Sequence, residues 1–106
     1  MPKKPPEITE IPTGLRIRLE ARALDFLEKI PEKHAGQIAR KINALAADPK
    51  ERPAYPLKGF SEYFRVKSGE YRFIYRIEGG EFLLVLIIGK RNDDEIYRDF
   101  VRLVRR

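Results

Sequence analysis

The sequence predicts an α+β fold in which a strand, an α-helical hairpin, a three-stranded antiparallel meander and a C-terminal helix pack around one small sheet. Three observations lead there. Apolar residues recur at helical spacing between Ala21 and Leu45, the stretch 62–89 is rich in aromatic and β-branched residues, and two glycine-containing pairs punctuate that stretch at hairpin intervals.

Residues 1–13, rich in proline and charge and closed off by Thr13-Gly14, read as a flexible N-terminal arm, which leaves 14–106 as a single domain. From Leu15 to Leu19 apolar and basic residues alternate at period two, the mark of a half-buried strand. Ala21, Leu24, Phe26 and Leu27 then switch to helical spacing. Pro31 interrupts the pattern and Ala35, Ile38, Ile42 and Leu45 resume it, so two helices follow in a hairpin. Asp48-Pro49 ends the second helix, because the residue before a proline is pushed out of the helical region. Residues 51–59, with Pro53 and Pro56, read as loop. Three strands follow at 62–67, 70–77 and 81–89, joined by the tight turns Ser68-Gly69 and Gly79-Gly80, each suited to positive φ. Asn92, with Glu95 three residues on, resembles a capping box. Ile96, Phe100 and Leu103, flanked by Tyr97, Val101 and Val104, form the apolar stripe of the closing helix.

Composition removes several classes of function. At 106 residues a compact fold buries roughly two thirds of its unfolded surface, enough for one modest core and too little for a two-domain dehydrogenase, a kinase or a barrel enzyme. No cysteine is present, which excludes disulfide scaffolds, thiol nucleophiles and cysteine zinc sites. His34 is the only histidine, so a two-histidine metal site cannot form, and its neighbours Glu32 and Lys33 suggest a surface position. No metal and no small-molecule cofactor is expected. The N-terminus lacks the apolar stretch of a secretory signal and the longest apolar run, 82–88, is too short to span a bilayer, so a cytoplasmic protein without a membrane partner is expected. With 22 Lys+Arg against 16 Asp+Glu the net charge is +6, which favours an anionic partner such as nucleic acid or an acidic protein.

The hairpin register points to chemistry. A two-residue Ser68-Gly69 turn sets Lys67 opposite Glu70, Arg65 opposite Arg72 and Phe64 opposite Phe73. Phe64, Val66, Tyr71, Phe73, Tyr75 and Ile77 then share one face, and Arg65, Lys67, Arg72 and Arg76 the other. Two arginines directly across a strand pair repel each other, and no residue of the hairpin compensates them. Through Gly79-Gly80 the same register sets Arg72 opposite Ile87, and an extended chain past Gly89 brings Arg91 to that face, with Tyr97 following in the closing helix. A local rule broken in this way marks a functional site.

Clustered guanidiniums offer rigid forks of donors matched to phosphate oxygens. Positive charge around a tyrosine favours its phenolate, so Tyr97 is suited to moving a proton. In RNA the 2′-hydroxyl adjoins the scissile phosphate, and a site that aligns it and stabilises the added negative charge needs neither metal nor protein nucleophile.

The stretch 63–75, Tyr-Phe-Arg-Val-Lys-Ser-Gly-Glu-Tyr-Arg-Phe-Ile-Tyr, followed by Ile88-Gly89-Lys90-Arg91 and Glu95-Ile96-Tyr97, resembles the RelE branch of the RelE/ParE toxin superfamily, and Leu57-Lys58-Gly59 also fits. The resemblance covers residues 15 to 100. It implies a type II toxin that cleaves messenger RNA in the ribosomal A site and is neutralised by a cognate antitoxin protein. It implies, further, that Arg65, Arg72, Arg91 and Tyr97 are the catalytic set. Lys67, Lys90 and Arg76 are assigned to RNA binding around it, Lys67 with Glu70 to answer its charge and Lys90 on the opposite parity, flanking the site. The chain departs from the family where the best-known members carry a lysine two residues before the Arg65 position. Here Tyr63 stands there, so that contribution is absent or falls to Lys67 or Lys90. Arg98, Arg102 and Arg105 repeat at helical spacing and read as a solvated face, able also to grip RNA backbone or an acidic antitoxin segment. Two other readings stand beside this one, a ParE-like inhibitor of DNA gyrase and a non-catalytic RNA-binding domain.

Overall fold

A computed structural model describes residues 14–48, 55–90 and 93–105. The chain runs through β1 (Arg16–Leu19), α1 (Ala21–Lys29), α2 (Glu32–Ala47), β2 (Tyr55–Leu57), β3 (Phe60–Ser68), β4 (Tyr71–Glu78), β5 (Phe82–Lys90) and α3 (Asp93–Val104). The strands form one sheet in the order β1-β5-β4-β3-β2. The meander from β2 to β5 is antiparallel, and it ends alongside β1, to which β5 is parallel with Leu19 opposite Val85. The arm 1–13, Arg91 and the capping residue Asn92 lie outside the described residues.

The sheet is covered on both sides. Val66, Tyr71, Phe73, Tyr75, Leu83 and Val85 face Ala23, Ile38, Ile42 and Leu45 of α1 and α2. On the other side Ile74, Leu84, Leu86 and Ile87 meet Ile96 and Phe100 of α3. Residues Leu83 to Ile88 are therefore all buried, which explains why β5 reads as a continuous apolar run and not as an alternation. The arginine face therefore holds a second core, with cations at its margin.

Four further expectations are corrected. The segment 51–59 is not all loop, because Tyr55–Leu57 pairs antiparallel with β3 as an edge strand. Pro56 is tolerated there since an edge strand spares one N–H. The first hairpin turns on Gly69 and Glu70, with Ser68 opposite Tyr71. Gly69 has φ +60, as the first central position of a II′ turn requires, and Ser68 is buried at the end of β3. Every pair slides by two residues, so Lys67 lies opposite Arg72 and Arg65 opposite Ile74.

In the second hairpin Gly79 and Gly80 both have positive φ, at +60 and +69, and the Glu81 N–H donates to the Glu78 carbonyl at 3.0 Å. Glu81 joins the loop, however, leaving Phe82 opposite Glu78. An irregularity at Ile74/Tyr75 then skips Leu86, so that Arg72 lies opposite Gly89 and not Ile87. Finally, His34 is half-buried, and its Nδ1 lies 2.8 Å from the Tyr71 hydroxyl. A buried phenol needs a polar partner, and the first turn of α2 supplies it.

Candidate functional site

The site forms where α3 stops covering its face of the sheet. A cleft of about 270 Å³ opens there. Leu57, Ile74 and Ile96, all buried, make its floor, while Arg65, Lys58 and Tyr97 stand around it and Pro56 closes one side. Each wall has a local cause. Arg65 sits on β3 directly between Tyr55 of β2 and Ile74 of β4. Lys58 is held by the tight β2–β3 turn, where Gly59 takes φ +84. Tyr97 follows the buried Ile96 by one residue, which places it at the edge of the helix's apolar stripe and leaves it 39% exposed.

Arg72 shares the face. It is the diagonal neighbour of Arg65, with Cα atoms about 7–8 Å apart. Its Nη1 donates to the carbonyls of Tyr71 at 3.1 Å and Gly69 at 3.4 Å, so the turn's own carbonyls steady a guanidinium that stands opposite Lys67. The start of α3 passes close by. Gly89, opposite Arg72, lies under Ile96, whose Cδ1 would be 3.6 Å from a Cβ at that glycine.

The structure thus brings Arg65, Arg72, Lys67 and Tyr97 to one face, with Arg65 and Tyr97 lining one cleft. Arg91 lies outside the described residues. Two predicted residues stand elsewhere. Arg76 is four positions from Arg72 along β4, about 13 Å away, and its Nη2 donates to Glu78 at 2.9 Å. That same Glu78 also takes Arg18 at 3.3 Å, and the Arg76 guanidinium lies 5.8 Å from the centre of the Tyr63 ring. Lys90, opposite Tyr71, lines a separate groove of about 360 Å³ with Phe26, Gly89 and Glu95. Arg98 and Arg102 on α3 and Arg105 just past its end are exposed, and Arg102 lies 3.7 Å from Asp99.

The sequence gives Lys58 no role, because 51–59 reads there as loop; the one signal it carries is the Lys58-Gly59 step immediately before the meander. Among the described residues no group of three His, Cys, Asp or Glu gathers as metal ligands would. No described helix is long and apolar enough to cross a membrane.

Known structures share this architecture. The free state of a double mutant of the Escherichia coli toxin RelE superposes with a TM-score of 0.71 at 20% identity, covering 86% of this chain and 98% of that one. The toxin–antitoxin complex RelBE from Mycobacterium tuberculosis gives a TM-score of 0.65 at 23% identity, over 74% of this chain and 93% of that one. The archaeal RelE–RelB complex from Pyrococcus horikoshii gives 0.63 at 20% identity, over 74% and 97%. The fold is therefore that of the RelE toxins. A family model described as "ParE toxin of type II toxin-antitoxin system, parDE" matches residues 17–95, and the chain belongs to that family, within the RelE/ParE superfamily of type II toxins. No curated protein sequence matches the chain significantly.

Proposed function

We propose that this toxin is a ribosome-dependent endoribonuclease that acts in the cytoplasm, cuts messenger RNA in the ribosomal A site, and is neutralised by a cognate antitoxin. The observation that carries the reading is the shared cleft of Arg65, Lys58 and Tyr97, with Arg72 diagonal to Arg65 on the same face. RelE–RelB complexes among the structural neighbours support an antitoxin partner, and the net charge of +6 suits an acidic one.

In the reaction the 2′-oxygen of the nucleotide bonds to the adjacent phosphorus and gives up its proton. The bond from phosphorus to the 5′-oxygen breaks, and that oxygen takes a proton. The products are a 2′,3′-cyclic phosphate and a free 5′-hydroxyl. Arg65 and Arg72 hold the phosphate and receive the charge that develops on its oxygens. Arg91 stabilises that charge or the leaving group, and Tyr97 serves in proton transfer. Lys58 and Lys67 add positive potential. The buried floor of Leu57, Ile74 and Ile96 excludes water beneath the phosphate, which strengthens each of these interactions. The route calls for no metal and no small-molecule cofactor.

The test is a cleavage assay on translating ribosomes. The wild-type chain cuts the messenger within the A-site codon, and Arg72→Ala loses about 10²-fold in rate, the usual worth of one charge-stabilising donor. A messenger left intact by the wild-type chain refutes the function, and undiminished cutting by Arg72→Ala refutes the residue assignment. The name of the matching family favours one other reading, gyrase inhibition by binding alone. Under that reading induced expression damages DNA and spares messenger.

A further inference from the structure

We propose that Tyr55 is a stacking platform for an unpaired nucleobase beside the phosphate that Arg65 holds, which makes the outer edge of the sheet a base-binding subsite. The proposal deepens the reading of the cleft as an RNA site and rests on it. Tyr55 opens β2, the edge strand, and at 64% exposure it is the most exposed large hydrophobic side chain among the described residues. A single exposed aromatic is ordinary on a protein surface. The position of this one is not.

Tyr55 lies directly opposite Arg65 in the antiparallel pair, so both side chains project from the same face with Cβ atoms about 5 Å apart. Ile74 occupies the other flank of Arg65 and is buried, so Tyr55 supplies the open flank. The three residues that follow it, Pro56, Leu57 and Lys58, line the cleft itself. Pro56 also restricts the backbone of the residue before it to extended conformations, and pairing with β3 holds the strand, so the backbone that carries the ring is fixed before any ligand binds. A nucleotide has a matching layout, an anion with a flat ring beside it.

Of the other aromatics near the face, Tyr97 stands inside the cleft, where the proposed reaction gives its hydroxyl the proton-transfer role. Tyr63 packs on Phe100 with ring centres 4.8 Å apart and Phe60 on Phe100 at 5.2 Å, while Phe64, Tyr71, Phe73 and Tyr75 belong to the core under α1 and α2. Stacking needs an exposed π-face on both partners, and a base inside a duplex has none to offer. Single-stranded RNA is thus the occupant, and recognition tolerates any base because every base carries such a face.

The experiment is a fluorescence titration of the purified chain with a 2′-O-methylated RNA hexamer, which cannot be cleaved, and with an abasic hexamer of equal charge. Tyr55→Ala is expected to bind the hexamer about tenfold more weakly, Tyr55→Phe to stay within about twofold of wild type, and the abasic hexamer to bind wild type and Tyr55→Ala alike. The proposal is overturned if Tyr55→Ala binds the hexamer as wild type does, if it loses the abasic hexamer to the same degree, or if the wild-type chain binds neither. Since binding is read without cleavage, an uncut messenger on ribosomes combined with the expected titration refutes the nuclease and supports the platform. Messenger cutting combined with an unaffected Tyr55→Ala titration refutes the platform alone.

Discussion

The two faces of the sheet carry similar side chains and put them to opposite uses. Under α1 and α2, helices of 9 and 16 residues, the face is sealed: Phe73 is inaccessible, and Tyr71 is 4% exposed with its hydroxyl answered by His34. The other face has one helix of 12 residues, about 18 Å long, which covers Ile74 and Leu84 and stops short of the strand edges. At that margin a buried apolar floor meets Arg65, Arg72 and Tyr97. A sheet face covered by two helices becomes core, whereas one covered by a single helix keeps a border of low dielectric and high charge. Such a border is where an anion is bound most strongly.

The sharpest way to break the contrast is at Phe73. It is fully buried on the sealed face, so Phe73→Ala removes a large side chain and leaves a cavity, at a cost of about 3–5 kcal/mol. For a domain with about 5–15 kcal/mol to lose, that is a large fraction. Urea unfolding should show the midpoint falling with little change in slope. A Phe73→Ala chain as stable as wild type would mean that the face under α1 and α2 is not the main core.

Periodicity made one part of this architecture legible and left another hidden. The apolar spacing of Phe26, Leu27, Ile38, Ile42 and Leu45, and of Ile96 and Phe100, identifies the helices and most of their packed stripes, although Leu24, counted in the same stripe, is 45% exposed and the buried Ala23 is not part of that spacing. Register is different. Sliding β3 against β4 by two residues leaves every side chain on the same face, so the alternation of Phe64, Val66 and Phe73 with Arg65 and Arg72 fits both pairings equally. The choice fell to Gly69 at positive φ and to Ser68, small enough to be buried, and neither is a pattern. Three residues of β2 are too few to show a period, and Pro56 argues against a strand until its edge position is known. Lys58 and Tyr55 therefore went unassigned, since their nearness to Arg65 exists only through the pairing of β2 with β3. Arg76 shows the converse. Parity placed it on the right face, but parity says nothing of distance along the strand, and Glu78 holds it at the far end.

On the open face the expected effect moves from stability to rate. Tyr97 is 39% exposed at the rim of the cleft, so Tyr97→Phe removes one hydroxyl that no core depends on. Stability is expected to stay within about 0.5 kcal/mol of wild type. Cleavage on ribosomes is expected to fall by about 10²-fold or more, the usual contribution of a positioned proton donor or acceptor. Single-turnover rates at saturating toxin separate this loss of chemistry from a loss of binding. If Tyr97→Phe cuts as fast as wild type, the phenol does no more than line the cleft, and proton transfer falls to another group.

The smallest effect belongs to the same chemical change made on the sealed face. Tyr71→Phe deletes the hydroxyl that lies 2.8 Å from His34 Nδ1 and keeps the ring that packs edge-on to Phe26, with centres 6.0 Å apart. Losing one neutral hydrogen bond while the apolar packing survives costs about 1 kcal/mol. The residual polar atom, on a half-buried histidine, lies close enough to solvent for water to replace the phenol, which holds the cost near that value. Thermal unfolding should register a shift of a few degrees, and cleavage should match wild type, because Tyr71 points away from the face that carries Arg65 and Arg72. The two Tyr→Phe variants thus form a crossed pair, one losing stability and keeping rate, the other the reverse. A Tyr71→Phe chain that folds normally and fails to cut would show that the sealed face reaches into the reaction, and the division of labour between the faces would fall.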